Sequence, residues 1–198
     1  GLTIMGISSN GTDPTAAVAA QNSGWVALTD SNISNAGQAA LYAGNGGSVG
    51  CDECDLRGFT VAGAIEQGVG ALVLDDTTIH AEGATFGIWA NGNGVVAAES
   101  VSVTGATVAN VYLYASDGIF DLQGVSLEDS VGFLVGDQLD GGNGIFVTGG
   151  VGAWDETSGT GLRLLDSELN GNSGVGALFV GAGGTLCEVT AGDNLVDV

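Results

Sequence analysis

Apolar residues in this chain come in short runs that end at Gly, Asn or Asp, as in Gly24-Trp25-Val26-Ala27-Leu28, Ala71-Leu72-Val73-Leu74 and Gly118-Ile119-Phe120-Asp121-Leu122. Runs this short, closed by turn-forming residues, predict strands rather than helices. They also recur. One column of apolar positions reads Val18, Leu41, Ile65, Ile88, Leu113, Leu134 and, two steps on, Leu178. A second reads Leu28, Cys51, Leu74, Ala98, Leu122, Leu164 and Cys187, and a third, five residues beyond it, Ile33, Leu56, Ile79, Val103, Leu127 and Leu169. Three columns that stay in phase over most of the chain mark an internal repeat of about 23 residues. One stretch conflicts locally. Thr12-Asp13-Pro14-Thr15 followed by Ala16-Ala17-Val18-Ala19-Ala20 carries the signature of a capped helix start. Val18 is nevertheless in phase with the first column, and strand is the preferred reading.

Short strands at this period, with Gly at the corners, predict an all-β fold: a single-stranded right-handed parallel β-helix, or β-solenoid, of about 8 coils of about 23 residues. Coils stacked about 4.8 Å apart make a rod about 40 Å long, its interior lined by the three columns. The right hand is expected because parallel crossovers overwhelmingly take it. A propeller needs a longer period and a leucine-rich repeat its own consensus. Residues 1–198 are expected to form one domain, a processed chain or a segment of a longer protein, with an irregular coil or loop near 136–161, where the phase blurs.

The run Gly87-Ile88-Trp89-Ala90-Asn91-Gly92-Asn93-Gly94-Val95-Val96-Ala97, followed by Val101-Ser102-Val103-Thr104-Gly105, resembles a coil of the right-handed parallel β-helix proteins, the pectin lyase-like superfamily. The likeness is to a pattern repeated along most of the chain. It implies the fold, but the superfamily holds polysaccharide lyases, hydrolases, esterases, tailspikes and adhesins, and fold does not choose among them.

Charge narrows the choice. The 198 residues include 2 Lys+Arg and 23 Asp+Glu, a formal net charge of −21, with 37 Gly and 1 Pro. A chain without a phosphate-neutralising patch is not expected to bind nucleic acid. It has no basic stripe for an anionic membrane and no apolar run long enough for membrane insertion. Such acidity suits an extracellular or cell-surface location, and strand-like ends predict end-to-end self-association or contact with neighbouring domains of a longer chain.

Candidate chemistry is sparse. The resemblance implies that a lyase would use a basic side chain, often with Ca²⁺ to neutralise a uronate. Arg57 and His80, 23 apart, are expected side by side on adjacent coils, both pointing outward, and with the pair Asp75 and Asp76 they form the low-ranked catalytic candidates. The His-Gly and Arg-x-Lys elements of polygalacturonase-like hydrolases are missing. Asp30, Asp52, Glu53, Asp55, Asp75, Asp76 and Glu99 are expected to gather along one corner of neighbouring coils. Like charges stacked there repel, and a hard divalent cation, Ca²⁺, is the candidate that relieves them, against the alternative of a solvated wall. No cofactor is required by the sequence.

Cys51-x-x-Cys54 allows a local disulfide, with free packed thiols as the equal alternative, and zinc lacks ligands. Cys187 is expected in the core. Tyr42, Trp89 and Tyr114 are expected on one outer face, where aromatics can stack on the sugar rings of a polysaccharide or simply on each other. The reading these points favour is a non-enzymatic extracellular or cell-surface β-helix, a structural, adhesion or fibre segment in contact with glycans. The alternative is a Ca²⁺-assisted polysaccharide lyase or hydrolase of the pectin lyase-like type.

Overall fold

A computed structural model of the chain describes residues 3–5, 16–115, 117–135 and 138–194. Among these there is no helix. The strands wind into a parallel β-solenoid of about 7 turns, close to the number the period predicts. Each turn has three strands and three corners. The turn after Gly70 shows the plan: a first strand Ala71–Asp75, a second Thr78–His80 and a third Phe86–Gly92. In the two turns before it the strands run through the corners as Trp25–Gly44 and Ser48–Gly68. Ala16–Gln21 is strand and pairs with the third strand of the turn that follows it; the Thr12–Thr15 half of the conflicting stretch and residues 195–198 lie outside the described residues.

Two of the three predicted columns are ladders of the interior. In the first strands Leu28, Cys51, Leu74, Ala98, Leu122 and Leu164 stack in parallel register. In the second strands Ile33, Leu56, Ile79, Val103, Leu127 and Leu169 do the same. Apart from Leu28, at 9%, none of these is more than 3% exposed. Strands with one apolar and one polar side have a single stable register, because a slip of one residue would turn the whole apolar set to water.

The remaining column is corrected. The third strands stack Val18, Leu41, Ala64, Ile88, Val111, Ile145 and Ala177. Ile65 and Leu178 sit one residue off, on the outer side; Leu113 sits two residues on, pairing inward with Ala90; Leu134 belongs to the hairpin Phe133–Val135 with Gln138–Asp140. Both sides of these strands are apolar, so hydrophobicity cannot mark the inner one. Cys187 is corrected too. The position that follows Leu164 is Leu186, and Cys187 stacks on Leu165 and is exposed. The first four corners after the third strands are tight, whereas residues 149–160, between the strands Asn143–Thr148 and Gly161–Leu165, form a longer loop. From it Trp154 lies over the Arg163 guanidinium, 4.3 Å from the ring centroid.

The corner between first and second strands is built alike in every turn. Asp30, Glu53, Asp76, Ser100, Gly124, Asp166 and Glu188 occupy it, all with φ between 42° and 60°. Asp tolerates this left-handed conformation better than most residues with a side chain. The next residue turns inward, and Ser31, Thr77 and Ser167 each donate a hydroxyl hydrogen bond back to the carbonyl two residues earlier, at 2.9, 2.8 and 2.6 Å. Cys54 holds this place in its own turn and is disulfide-bonded to Cys51. Inside the corner between second and third strands, Asn172 is satisfied on every side: it donates to Leu127 O and Asn194 Oδ1 and accepts from Ser130 and Asn110.

Candidate functional site

The three strand series give the rod three walls, and they differ in charge. The first and second strands with the corner between them carry most of the acidic residues. On the outer side, Asp52, Asp75 and Glu99 stack directly above one another. Next to them runs the corner series Asp30, Glu53 and Asp76. The repulsion between neighbours shows at the far end of the same corner, where a hydrogen bond to Asp166 and its negative charge push the Glu188 carboxyl upward. These carboxylates form single files. No group of three or more His, Cys, Asp or Glu converges closely enough among the described residues to hold a metal ion. Asp55 leaves the file, because its carboxylate accepts from Arg57 Nε at 2.9 Å and from a second guanidinium nitrogen.

Arg57 and His80 do stack on adjacent turns, on the outer side of the second strands. Between them lies Asp55, 3.8 Å from His80 Nε2, while Glu82 lies 3.9 Å from Nδ1. Asp55 pushes the Arg57 pKa upward, through a hydrogen bond and then its charge. A guanidinium held in that way releases its proton less readily, so less of the neutral base a lyase needs is present. The other arginine is held similarly: Arg163 donates to both oxygens of Asp121 at 2.6 and 2.7 Å. Asp75 and Asp76 stand at the corner, on the far side of Thr77 and Thr78 from His80. The structure therefore brings Arg57 and His80 together with Asp55, and leaves Asp75 and Asp76 with the acidic file. An open hollow of about 130 Å³ adjoins that file, walled by Asp75, Glu99, Asp121 and Gln123.

The third wall is the opposite in character. Its strand segments, 39–44, 62–68, Phe86–Gly92, Ala109–Tyr114, Asn143–Thr148 and Ala177–Val180, hold one acidic residue, Glu66, and no basic one. Glu66 points inward, stacked between Ala43 and Ala90, and is fully buried. Its Oε1 accepts from Gly70 N at 3.0 Å, and Oε2 has no partner in the protein. Burial raises its pKa to about 7, against the smaller opposing effect of the Gly70 N–H.

Outward, this wall carries an aromatic ladder: Tyr42, Ile65, Trp89, Tyr112, Phe146 and Leu178 stack turn upon turn. Phe86 stacks on Tyr112 with ring centroids 5.0 Å apart and meets Trp89 at 5.7 Å; Tyr112 meets Phe146 at 5.2 Å. Beside it runs a second file: Gly44, Gln67, Asn91, Tyr114 and Thr148. Tyr42, Trp89 and Tyr114 thus share one wall, but not on equal terms. Tyr42 is 5% exposed, its ring lying over Gly44, where a Cβ would collide with it, and its hydroxyl donates to Gln67 at 2.8 Å. Tyr112, rather than Tyr114, is the direct neighbour of Trp89, and Tyr114 is 50% exposed beside it.

Two open hollows lie on either side of the Trp89 and Asn91 side chains. One, of about 240 Å³, is lined by Gln38, Val61, Ile65 and Gln67 as well as these two. The other, of about 200 Å³, is completed by Tyr112 and Tyr114. Trp89 Nε1 is buried and finds no acceptor in the protein. Sequence reasoning missed Gln67, Asn91 and Tyr112 here, and Glu66 beneath. The signal that could have found the wall is that every third segment of the repeat is nearly free of charge, with Glu66 alone among the six, in a chain with 23 acidic residues.

The fold and its walls define a parallel β-solenoid with two acidic sides and one neutral aromatic side. Comparison with known protein families, with curated proteins and with solved structures finds no match to this chain.

Proposed function

We propose that this protein is a non-enzymatic segment of an extracellular or cell-surface β-helix, of the right-handed pectin lyase-like kind, serving a structural or adhesive role. The observation that carries the proposal is the separation of charge: two walls that repel other acidic surfaces, and one uncharged aromatic wall left as the contact surface. High negative charge opposes indiscriminate association, so contact is directed to the side where charge is lacking. The Cys51–Cys54 bond suits an oxidising compartment. Against the lyase or hydrolase alternative stand the two arginines, each engaged by an aspartate. The hollow beside Asp75, Glu99 and Asp121 is what favours that alternative, since carboxyls facing a groove are the equipment of a glycosidase.

Incubation with polygalacturonate and with neutral polysaccharides, with and without Ca²⁺, tests the reading. Retention on a polymer without new reducing ends or unsaturated products is the expected result. Turnover that disappears on Asp75→Asn or Arg57→Ala would replace it with the enzyme.

A further inference from the structure

We propose that the neutral wall is a binding site for an uncharged glycan chain, with consecutive pyranose rings seated in the two hollows on either side of Trp89 and Asn91. This rests on the reading of the protein as a surface segment and gives that surface its ligand class. Four observations converge on it.

The first is the lining. Gln67, Asn91, Trp89, Tyr112 and Tyr114 supply flat apolar rings and amide or phenol groups, with no ionised side chain among them. A pyranose has the matching form, one face of C–H groups and a rim of hydroxyls. Aromatic rings cover the first, and amides and phenols bond the second.

The second is the indole of Trp89. A buried N–H without an acceptor is costly, of the order of 1–3 kcal/mol. Trp89 nevertheless holds this position between two hollows. The N–H itself is closed to solvent, so what the indole offers a ligand is its ring, the wall common to both hollows.

The third is geometry. The hollows share Trp89 and Asn91 as a common wall, so they lie side by side and admit neighbouring residues of one chain rather than two unrelated ligands. Outer-file side chains repeat at the coil spacing of about 4.8 Å, near the length of one sugar residue.

The fourth is charge. A cation would find far better partners along the Asp52, Asp75 and Glu99 file, and an anionic uronate is repelled by a molecule of charge −21. An uncharged polymer is the ligand that this wall admits and the other two do not favour.

The test is calorimetric titration of the protein with cellohexaose, mannohexaose and laminarihexaose, with an oligogalacturonate as the charged comparison. At least one neutral hexasaccharide is expected to bind, and the oligogalacturonate is not. Tyr114→Ala removes a half-exposed ring and leaves the interior intact; it is expected to weaken binding about tenfold, a loss of about 1.4 kcal/mol. Trp89→Phe puts a smaller ring in the wall common to both hollows and is expected to weaken binding as well. Trp25→Ala, which removes a ring 76% exposed on a different wall, is expected to change nothing. Failure of every neutral hexasaccharide to bind at millimolar concentration overturns the proposal. So does binding that survives Tyr114→Ala and Trp89→Phe, or that is lost with Trp25→Ala. These outcomes leave the structural role standing, whereas shortening of a hexasaccharide during the titration would overturn that reading instead.

Discussion

The acidic corner and the aromatic wall are made from the same device. In each, one side chain per turn is stacked on its counterpart in the next turn, and the parallel ladder offers no way to stagger them. At the corner the stacked groups are Asp52, Asp75 and Glu99; on the wall they are Ile65, Trp89, Tyr112 and Phe146. Stacking penalises the first set and rewards the second, since like charges opposite each other repel and aromatic neighbours attract by about 0.2–1 kcal/mol per pair. A solenoid therefore amplifies whatever is placed on each side of its repeat. One choice of residue per turn becomes a wall that keeps other surfaces away, and another becomes a wall that receives them.

The two walls should respond most differently when the same charge is placed on each. Ile65→Asp would insert a carboxylate into a position only 2% exposed, beneath Tyr42 and Trp89. With no cation on that wall it is expected to destabilise the fold by about 3–5 kcal/mol, read from denaturant unfolding. Val73→Asp adds the charge where the chain is 50% exposed, beside Asp75, and is expected to cost less than about 1 kcal/mol. Equal losses at the two positions would mean that the walls do not differ in the way described.

Glu66 is the next test, because it is the lone acid of the third strands and survives there by being inside. Its pKa is near 7 in the fold, against 4.5 for an ordinary glutamate. The folded chain therefore holds a proton that the unfolded chain has released. The stability that Glu66 contributes is complete below pH 4.5 and is lost as pH rises through 7, a change of about 3 kcal/mol. Gly94 hems the carboxyl in, since a Cβ there would collide with it and with the Gly70 carbonyl. Glu66→Gln is expected to remove this part of the pH dependence. Urea unfolding of both proteins from pH 4 to pH 8 checks it, with the difference between them growing toward pH 8. Parallel curves would show that Glu66 titrates as it would in water.

How much of this was legible in the sequence follows the same division. The first and second strands alternate apolar with polar residues, so Leu56, Ile79 and Val103 could be placed facing inward, and Arg57, His80 and Thr104 facing outward, by counting alone. In the third strands Ala64 faces in while the larger Ile65 faces out, and no rule of hydrophobicity finds that. Counting misplaces Cys187 because Leu164 is in register but the turn after it has 22 residues, so a step of 23 lands one residue past Leu186. The acids of the corner were placed in register. The left-handed backbone that selects Asp30, Asp76 and Asp166 there is a conformational cause that leaves no mark on the repeat other than the acids themselves. The bond between Asp55 and Arg57, two residues apart on one strand, depends on side-chain reach and was not visible either.

The disulfide offers a smaller test of the acidic side. Three corners of the same series are closed by a hydroxyl on the inward residue, at Ser31, Thr77 and Ser167. In the second turn the Cys51–Cys54 bond stands instead. A loop of four residues is worth about 2 kcal/mol in chain entropy. Cys54→Ser is expected to lose about that amount. The double substitution Cys51→Leu with Cys54→Thr copies Leu74 and Thr77 of the next turn and is expected to recover part of it. If the double variant is no better than the single one, the corner depends on the bond itself rather than on filling the inward position.

The least change is expected from divalent cations, and that expectation separates two accounts of the acidic files. If Asp52, Asp75 and Glu99 merely repel, Ca²⁺ and Mg²⁺ at matched ionic strength raise Tm alike and slightly, because each only screens. If the files close on a bound ion, Ca²⁺ alone raises it, by about 2.7 kcal/mol at a hundred times its Kd, and EDTA reverses the effect. The single-file geometry favours screening: neighbouring turns supply carboxylates in a row, whereas Ca²⁺ needs six or more oxygens around one point. Aspartate at these corners is explained without an ion by the left-handed backbone, which Asp30, Asp76 and Asp166 adopt at φ near 45°. Asp76→Asn keeps that conformational preference while deleting the charge. Under screening it raises Tm slightly and leaves the Ca²⁺ and Mg²⁺ responses equal; under a bound ion it lowers Tm in Ca²⁺ and abolishes the difference between the two cations.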